Sequence, residues 1–368
     1  MKLKQVPEDF VVRELNIPNF RRKGQYSYFI LRKKNWTTDR AIRKLASVLK
    51  KNSKAFSYSG MKDKSAITEQ YVSVFGLRES DLNKLKVRDI FIKFQGYGNE
   101  PIGLNSHTGN KFEITVRDLD KPLSKIEHFC NYYDDQRFGD IRPNTAEVGK
   151  LLVQRKYEEA MKVYLTKPFN TETEVHKNFR NKIEVNWGSF DSRLIPDYLT
   201  EKKAIEHLEK YPNEFLEAFK MLPKRILTIF VQAYQSKLFN EILNEYVKDN
   251  YGNYEVETVL GKLAMTDKKI ELDIPLIGYD FINNGELKEI IQKVLDKENI
   301  NLENFKFKNP SYLSSRTVYR KASVEIKNLE IEEAEKDELN KGKLKQKIYF
   351  SLGNGCYATM AVKAMDKK

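Results

Sequence analysis

The sequence contains little of what metal or disulfide sites require. Its 368 residues include two cysteines and four histidines. Cys130 and Cys356 lie far apart without a C-x-x-C spacing, so neither a disulfide framework nor a zinc site is indicated. The histidines are scattered singly, with no H-x-H or H-E-x-x-H pairing. The sequence therefore predicts no metal centre.

Long apolar runs and nucleotide-binding loops are absent as well. The longest apolar run, from Ile226 to Val231, is broken by Thr228 and is much too short to cross a bilayer. The N-terminal segment 1–7 has no apolar core of the kind found in signal peptides. No Walker sequence and no G-x-G-x-x-G appears. We therefore expect a cytoplasmic protein with no membrane partner and no cofactor.

The charge is strongly one-sided. Lysine and arginine number 65 against 52 aspartate and glutamate residues, which gives a formal net charge of +13. Such an excess fits a polyanionic partner, nucleic acid first and a membrane surface second, although a lysine-rich genome also produces basic proteins. The hydrophobic content of 40%, with 21 phenylalanines and 20 tyrosines, is ample for packed cores. The composition thus indicates a globular protein and favours nucleic acid as its partner.

The distribution of periodic segments predicts an α+β protein with two domains. Strands are predicted in the first 140 residues at Tyr26–Leu31, Ala66–Val74, Phe91–Gly96 and Lys111–Val116, with one helix that begins at Thr37 or Thr38. Helices are predicted at Glu147–Gln154, Tyr157–Leu165, Lys203–Leu222, Arg225–Val247 and Glu286–Leu295, with a strand-like piece at Ile270–Gly278. The charged stretch Lys327–Lys347 indicates a loop or hairpin tip, and strands are predicted again at Ile348–Leu352 and Tyr357–Val362. Strand-rich ends around a helix-rich middle suggest one discontinuous domain with a second inserted into it.

The segment from Gly60 to Ser73 is the most informative part of the chain. A glycine opens a turn, Asp63 lies between two lysines at its tip, and a β-branched and aromatic strand follows. Neighbouring cations favour the ionised carboxylate, which is the form that a nucleophile or base requires. An ordinary solvated turn has the same composition. The whole string, however, resembles the signature of the TruD family of pseudouridine synthases, in which this aspartate is the nucleophile.

Further segments resemble the same family in the same order. Residues 4–14, 104–117, 131–139, 232–240 and 355–360 match its opening segment, its uridine-pocket segment, its Asn-Tyr-x-x-x-Gln-Arg-Phe-Gly string, a helical string and its C-terminal Gly-x-Tyr-Ala-Thr. The resemblance implies that Lys4 pairs with the catalytic aspartate and that Phe10 and Glu14 belong to the substrate site. The family usually continues its last segment toward Arg-Glu, whereas this chain has Lys363-Ala364.

The resemblance also implies a uridine pocket. Asn110 and Phe112 would line it, since a flipped base needs an aromatic face and a polar group at its edge. Two residues apart on a strand, they project to one face. A core position is the alternative for Phe112. Gln136 and Arg137 are candidates for substrate contacts or for supporting the active site from behind. On a long helix, the Tyr and Phe of the string 232–240 are expected in the core.

The resemblance implies a pseudouridine synthase fold, a mixed and mostly antiparallel sheet with flanking helices, interrupted by a helix-rich α+β domain. Residues 1–146 and 338–368 would form the catalytic domain and 147–337 the insertion. The implied reaction converts uridine to pseudouridine, at uridine 13 of tRNA, in a monomer without metal or cofactor. The basic strings Arg21–Lys23 and Arg32–Lys34 are candidate phosphate contacts. An RNA-binding protein without catalysis and a metal-dependent RNA-processing enzyme are the alternatives.

Overall fold

The computed structural model describes residues 1–15, 18–103, 107–139, 141–252 and 254–367. It divides into two compact units. Unit 1 comprises Met1–Phe129 and Val324–Lys367, and unit 2 comprises Cys130–Ser323. The inserted domain over 147–337 stays a prediction.

The first part of the chain builds strands and two helices. The strands are β1 (Phe10–Leu15), β2 (Tyr26–Lys34), β3 (Phe56–Tyr58), β4 (Ile67–Phe75), β5 (Ile90–Gly98), β6 (Gly109–Leu119) and β7 (His128–Cys130). The helices are α1 (Thr38–Val48) and α2 (Glu79–Asn83). Helix α1 begins as predicted, because the Thr37 side chain accepts a hydrogen bond from the Arg40 backbone N–H at 3.3 Å.

The middle of the chain is rich in helices. They are α3 (Asp135–Phe138), α4 (Thr145–Val153), α5 (Tyr157–Thr166), α6 (Glu174–Val185), α7 (Glu201–Lys210), α8 (Phe215–Lys220), α9 (Lys224–Asn250) and α10 (Lys288–Glu298). The strands are β8 (Tyr254–Thr258), which pairs with β9 (Gly261–Met265), and β10 (Asp273–Leu276), which pairs with β11 (Val318–Lys321). The chain then continues through β12 (Ser323–Glu325), β13 (Lys327–Ile331), β14 (Glu335–Lys336), β15 (Leu344–Gly353) and α11 (Ala358–Met365). Short 3₁₀ helices lie at Pro7–Asp9, Ser53–Ala55, Ser192–Leu194, Leu302–Phe305 and Ser311–Leu313.

Within the described ranges, nine strands of unit 1 form one sheet. Its order is β13-β15-β6-β1-β4-β2-β5, with β14 on β15 and β3 on β4. The pair β1–β4 is parallel, and the other pairs are antiparallel. The predicted mixed, mostly antiparallel sheet is confirmed. Because β1 and β4 run in parallel, the segments that precede them enter at the same end of the sheet.

A hydrophobic core lies between α1 and one face of the sheet. Side chains at alternate positions of β2 and β4 meet the apolar face of the helix. The buried members include Phe29, Leu31, Ile42, Leu45, Val72 and Val74. The same face carries Lys33, which is only 1% exposed. A lysine on this face is unusual, since burial of an ammonium group is costly without partners.

In unit 2, α9 is the central helix. Tyr234, Leu238 and Phe239 are fully buried, as the prediction of a core position for the string 232–240 requires. Helix α4 packs closely against α9 at Gly149, where a Cβ atom would lie 2.0 Å from the carbonyl oxygen of Phe230. In the part of the chain that the structure describes, no helix is long and apolar enough to cross a membrane.

Several predicted elements differ from the structure. Residues 357–362 were expected as a strand, but they begin helix α11, whose alanines and methionines are buried around its circumference. Of the two expectations for Lys327–Lys347, the hairpin agrees with the structure, because β14 and β15 pair antiparallel on either side of residues 337–343; a loop over the whole stretch does not, because β13, β14 and the start of β15 add strands to the sheet. The helix expected over Lys203–Leu222 is divided into α7 and α8, with Pro212 between them. The strand-like piece Ile270–Gly278 is a strand only at β10.

Candidate active site

The loop between β3 and β4 carries Asp63, and hydrogen bonds from the sheet and α1 hold its backbone. Gln70 on β4 donates through its amide to the Gly60 carbonyl at 3.1 Å. Thr38 on α1 accepts from the Lys62 backbone N–H at 3.0 Å and donates to the Gln70 amide oxygen at 2.8 Å. Both supporting side chains are buried. The loop therefore presents Asp63 from a defined backbone conformation.

Lys33 on β2 also holds the backbone of this loop. Its Nζ donates to the Asp63 carbonyl at 2.6 Å and to the Lys62 carbonyl at 3.3 Å. Burial lowers the pKa of Lys33 to about 8; Lys62 lowers it further and Asp63 opposes the shift. The sequence indicated Lys33 as a candidate phosphate contact, and its burial shows that interpretation to be wrong. Its role in holding the loop was missed, since a lysine in a basic string gives no sign of burial.

Lys4 reaches Asp63 from the segment before β1. Its Nζ lies 2.6 Å from Oδ2 of Asp63 and 4.4 Å from the centroid of the Phe10 ring. The two side chains are 23% and 22% exposed, so water still reaches the pair. The meeting follows from the parallel pairing of β1 and β4, which brings the preceding segments to one sheet end. An ionised carboxylate in contact with an ammonium group is the arrangement that a nucleophile or base requires.

Glu14, Lys62 and Asn110 form a second polar cluster. The Lys62 Nζ lies 3.0 Å from Oε1 of Glu14 and donates to the Asn110 side-chain oxygen at 2.9 Å. The other carboxylate oxygen of Glu14 accepts from the Tyr71 backbone N–H at 2.9 Å. The side chains of Lys62 and Glu14 are 8% and 2% exposed. The lysine next to Asp63 in sequence is therefore an anchor of the loop, a role that the sequence did not reveal.

Phe112 lies in an aromatic cluster on the face of the sheet that also carries Glu14 and Asn110. Its ring contacts Phe10 edge-on at 6.2 Å between centroids and stacks on Phe350 at 5.3 Å. Phe112 is 6% exposed. These contacts account for its place in the core, and its role in stacking on uridine stays a prediction. Glu14 is paired across β1 and β6 with Asn110, so both lie beside this cluster.

His107 also touches the Asp63 loop. Its Nδ1 is within hydrogen-bond distance of the Ser59 Oγ, and its carbonyl accepts from the Asn354 side chain. Burial is the main reason that the pKa of His107 is lowered; Lys62 adds to the effect and Glu14 opposes it. No motif of the sequence had singled out this histidine. Residues 104–106 of the matched segment lie outside the described residues.

Gln136 and Arg137 belong to unit 2, on the short helix α3. Gln136 is exposed. Arg137 donates through Nε to the Ser236 hydroxyl on α9 at 2.9 Å, and its guanidinium lies 5.4 Å from the centroid of the Tyr133 ring. These contacts fix Arg137 within unit 2. Its part in substrate binding stays a prediction.

Asp134 and Asp135 are two adjacent carboxylates, a residue type that can bind metal ions. Within the ranges that the structure describes, no group of three or more histidine, cysteine, aspartate or glutamate side chains could hold a metal ion. Asp135 accepts a hydrogen bond from the Val259 backbone N–H at 2.9 Å.

The sequence resemblance extends over the whole chain. Residues 1–259 and 255–365 match the profile of the family described as "tRNA pseudouridine synthase D (TruD)". A relative in Methanopyrus kandleri, described as "Probable tRNA pseudouridine synthase D", is 32% identical over 95% of this chain and 87% of its own. A relative of the same description in Nanoarchaeum equitans is 32% identical over 99% of this chain and 98% of its own. The chain belongs to the TruD family.

The fold agrees with that of a TruD crystal structure. A Methanosarcina mazei protein whose structure bears the same family name superposes with a TM-score of 0.74 at 28% identity. The alignment covers 99% of this chain and 92% of the other. Membership in the TruD family thus rests on sequence and on structure.

Proposed function

We propose that this chain converts uridine to pseudouridine in tRNA, at uridine 13, with Asp63 as the nucleophile. The supporting observation is the Lys4–Asp63 contact of 2.6 Å on a loop whose backbone is held by Thr38, Gln70 and Lys33. A carboxylate that is kept ionised and held by a rigid scaffold is ready to attack without reorganisation. Membership in a family of tRNA pseudouridine synthases supports the substrate and the reaction.

The reaction is an isomerisation. Asp63 attacks the sugar or the base, the bond between N1 of uracil and C1′ of ribose breaks, and the detached base rotates. C5 then bonds to C1′ and the bond to the Asp63 carboxylate breaks; C5 loses its proton and N1 gains one, so that the enzyme is regenerated and no atom is added or removed. Lys4 holds the carboxylate ionised before the attack. Asn110 and Phe112 would read and stack the extruded base.

The test is the Asp63→Asn variant. We expect it to fold and to bind tRNA while turnover falls by at least about 10³-fold, because an amide is a very poor nucleophile. Pseudouridine is mapped at single-nucleotide resolution on a tRNA transcript incubated with protein in EDTA. A transcript with cytidine at position 13 should remain unmodified. Asp39→Asn, which changes a half-exposed carboxylate on α1, is the matched control and should keep its activity.

Each contrary result points to a different error. Substantial turnover by folded Asp63→Asn would contradict the assignment of Asp63 as the nucleophile. Modification at other uridines would contradict the specificity for uridine 13. Tight tRNA binding without pseudouridine, in the wild type, would favour the RNA-binding alternative, and activity lost only in EDTA would favour a metal-dependent enzyme.

A further inference from the structure

A basic cavity lies in unit 1, at the end of β2 and the start of β4 and β5. Its volume is about 820 Å³. Five basic residues line it, against one acidic residue, Asp89. The basic residues are Arg32, Lys33, Lys34, Lys86 and Arg88. Within the wall, Arg88 pairs with Asp89 at 3.7 Å and its side chain is 95% exposed. We call this space the β2–β5 cavity.

Phe91, on the edge strand β5, also lines the cavity. It is 75% exposed, and it is paired in register with Arg32 on β2. An aromatic ring that faces water among cationic side chains is typical of surfaces that bind single-stranded nucleic acid, because each base offers a π-face and each nucleotide carries a phosphate. Packing does not explain this ring, since most of its surface contacts no protein.

The wall of the cavity adjoins the loop that carries Asp63 at two residues. Lys33, in its wall, donates to the carbonyl of Asp63 at 2.6 Å. Ile67, also in its wall, begins β4 directly after the loop that carries Asp63. In addition, Lys34 at the end of β2 is paired with Ile67 in register. A strand of substrate that passes this end of the sheet on its way to Asp63 would therefore come close to the cavity.

We propose that the β2–β5 cavity binds the tRNA strand next to the target uridine. Arg32, Lys86 and Arg88 contact phosphates, and Phe91 stacks on a base. This inference rests on the proposed function for the identity of the ligand. RNA is favoured over an acidic peptide because the wall shares Lys33 with the Asp63 loop of a TruD protein. These contacts would lie beside the active site, within unit 1, in addition to any contacts that the middle of the chain makes.

Charge removal tests the phosphate contacts. The double variant Lys86→Ala/Arg88→Ala is compared with Lys121→Ala/Lys125→Ala, which removes two exposed cations of unit 1 outside the cavity. The affinity for a tRNA transcript is measured at several salt concentrations. For the cavity variant we expect weaker binding and a slope of log K against log salt that is shallower by about 1.5, since two phosphate contacts are lost. An equal change in both double variants would show that only total charge matters, and would overturn the proposal.

Ring removal tests the stacking contact. For Phe91→Ala we expect the KM for tRNA to rise by about fivefold or more, with kcat unchanged at saturating tRNA. The matched control is Phe75→Ala, which removes a ring that is 50% exposed at the far end of β4. An unchanged KM in folded Phe91→Ala would overturn the stacking role.

The proposed function and the proposed role of the β2–β5 cavity can be refuted independently of each other. If the wild type binds tRNA but forms no pseudouridine, the proposed function fails and the salt slopes still decide the cavity. If the wild type forms pseudouridine while the cavity variants bind tRNA as it does, only this inference fails. An acidic peptide that displaces tRNA from the wild type but not from the cavity variants would show a peptide site instead.

Discussion

Replacing Lys33 by methionine would show what a buried lysine contributes beneath the loop that carries Asp63. The change keeps an unbranched apolar chain of similar length and removes the ammonium group that donates to the carbonyls of Lys62 and Asp63. Each charge-assisted hydrogen bond contributes about 1.5–3 kcal/mol. Against this gain stands the cost of burying the charge, which the shift of its pKa from 10.5 to about 8 places at about 3 kcal/mol. The two bonds together contribute about 3–6 kcal/mol, so the variant should lose between about 0 and 3 kcal/mol of stability at pH 7.

The dependence of stability on pH distinguishes the two contributions. Between its folded pKa of about 8 and its unfolded value of 10.5, Lys33 binds more protons in the unfolded chain than in the folded one. The free energy of unfolding of the wild type should therefore rise with pH in this window, because folding no longer buries a charge. The methionine variant lacks this contribution. The difference between wild type and variant should grow by about 1 kcal/mol from pH 7 to pH 9, in favour of the wild type.

Two measurements check this reasoning. Urea unfolding at both pH values gives the stability difference, in which the titration of all other groups cancels. Turnover of tRNA at pH 7 reports the position of the loop, and we expect kcat to fall by about 10- to 100-fold because a small displacement of Asp63 would disturb the attack proposed for it. Lys93→Met, which changes an exposed lysine of β5, is the control. A stability difference that stays flat from pH 7 to pH 9, or an unchanged kcat, would refute the reasoning.

Two further predictions concern the ion pair and unit 2. Lys4→Met should move the acid limb of the rate profile to higher pH, because the Asp63 carboxylate loses its neighbouring positive charge and is protonated more readily; an unmoved limb in the folded variant would make Lys4 a surface residue only. A shortened chain that joins Phe129 to Val324 through a flexible linker should fold, since both parts complete one sheet. It should bind tRNA much more weakly and with a shallower salt slope if the middle of the chain grips the RNA; unchanged affinity would place the grip in unit 1 alone.

Local sequence patterns were sufficient to predict the strands and helices whose buried residues recur with a simple periodicity. The alternation in β2, β4 and β6 and the capped helix α1 were predicted within a few residues, because the burial of alternate or i, i+4 positions is written in the local sequence. The order of the matched segments was sufficient for the TruD family. It also named Lys4 and Asp63 as partners, 59 positions apart in the chain.

Other features depended on contacts that no local pattern records. β13 and β14 are charged and exposed, and only their pairing with β15 makes them strands. α11 looked like a returning strand, although its apolar residues are buried in a helix. Burial of Lys33, the anchoring of Lys62 by Glu14 and the exposure of Phe91 likewise arise from strand register. The sequence by itself determined the family, most strands of the sheet and the pairing of Lys4 with Asp63. The tertiary structure alone decided which lysines meet water, because exposure depends on what the rest of the chain places above each side chain.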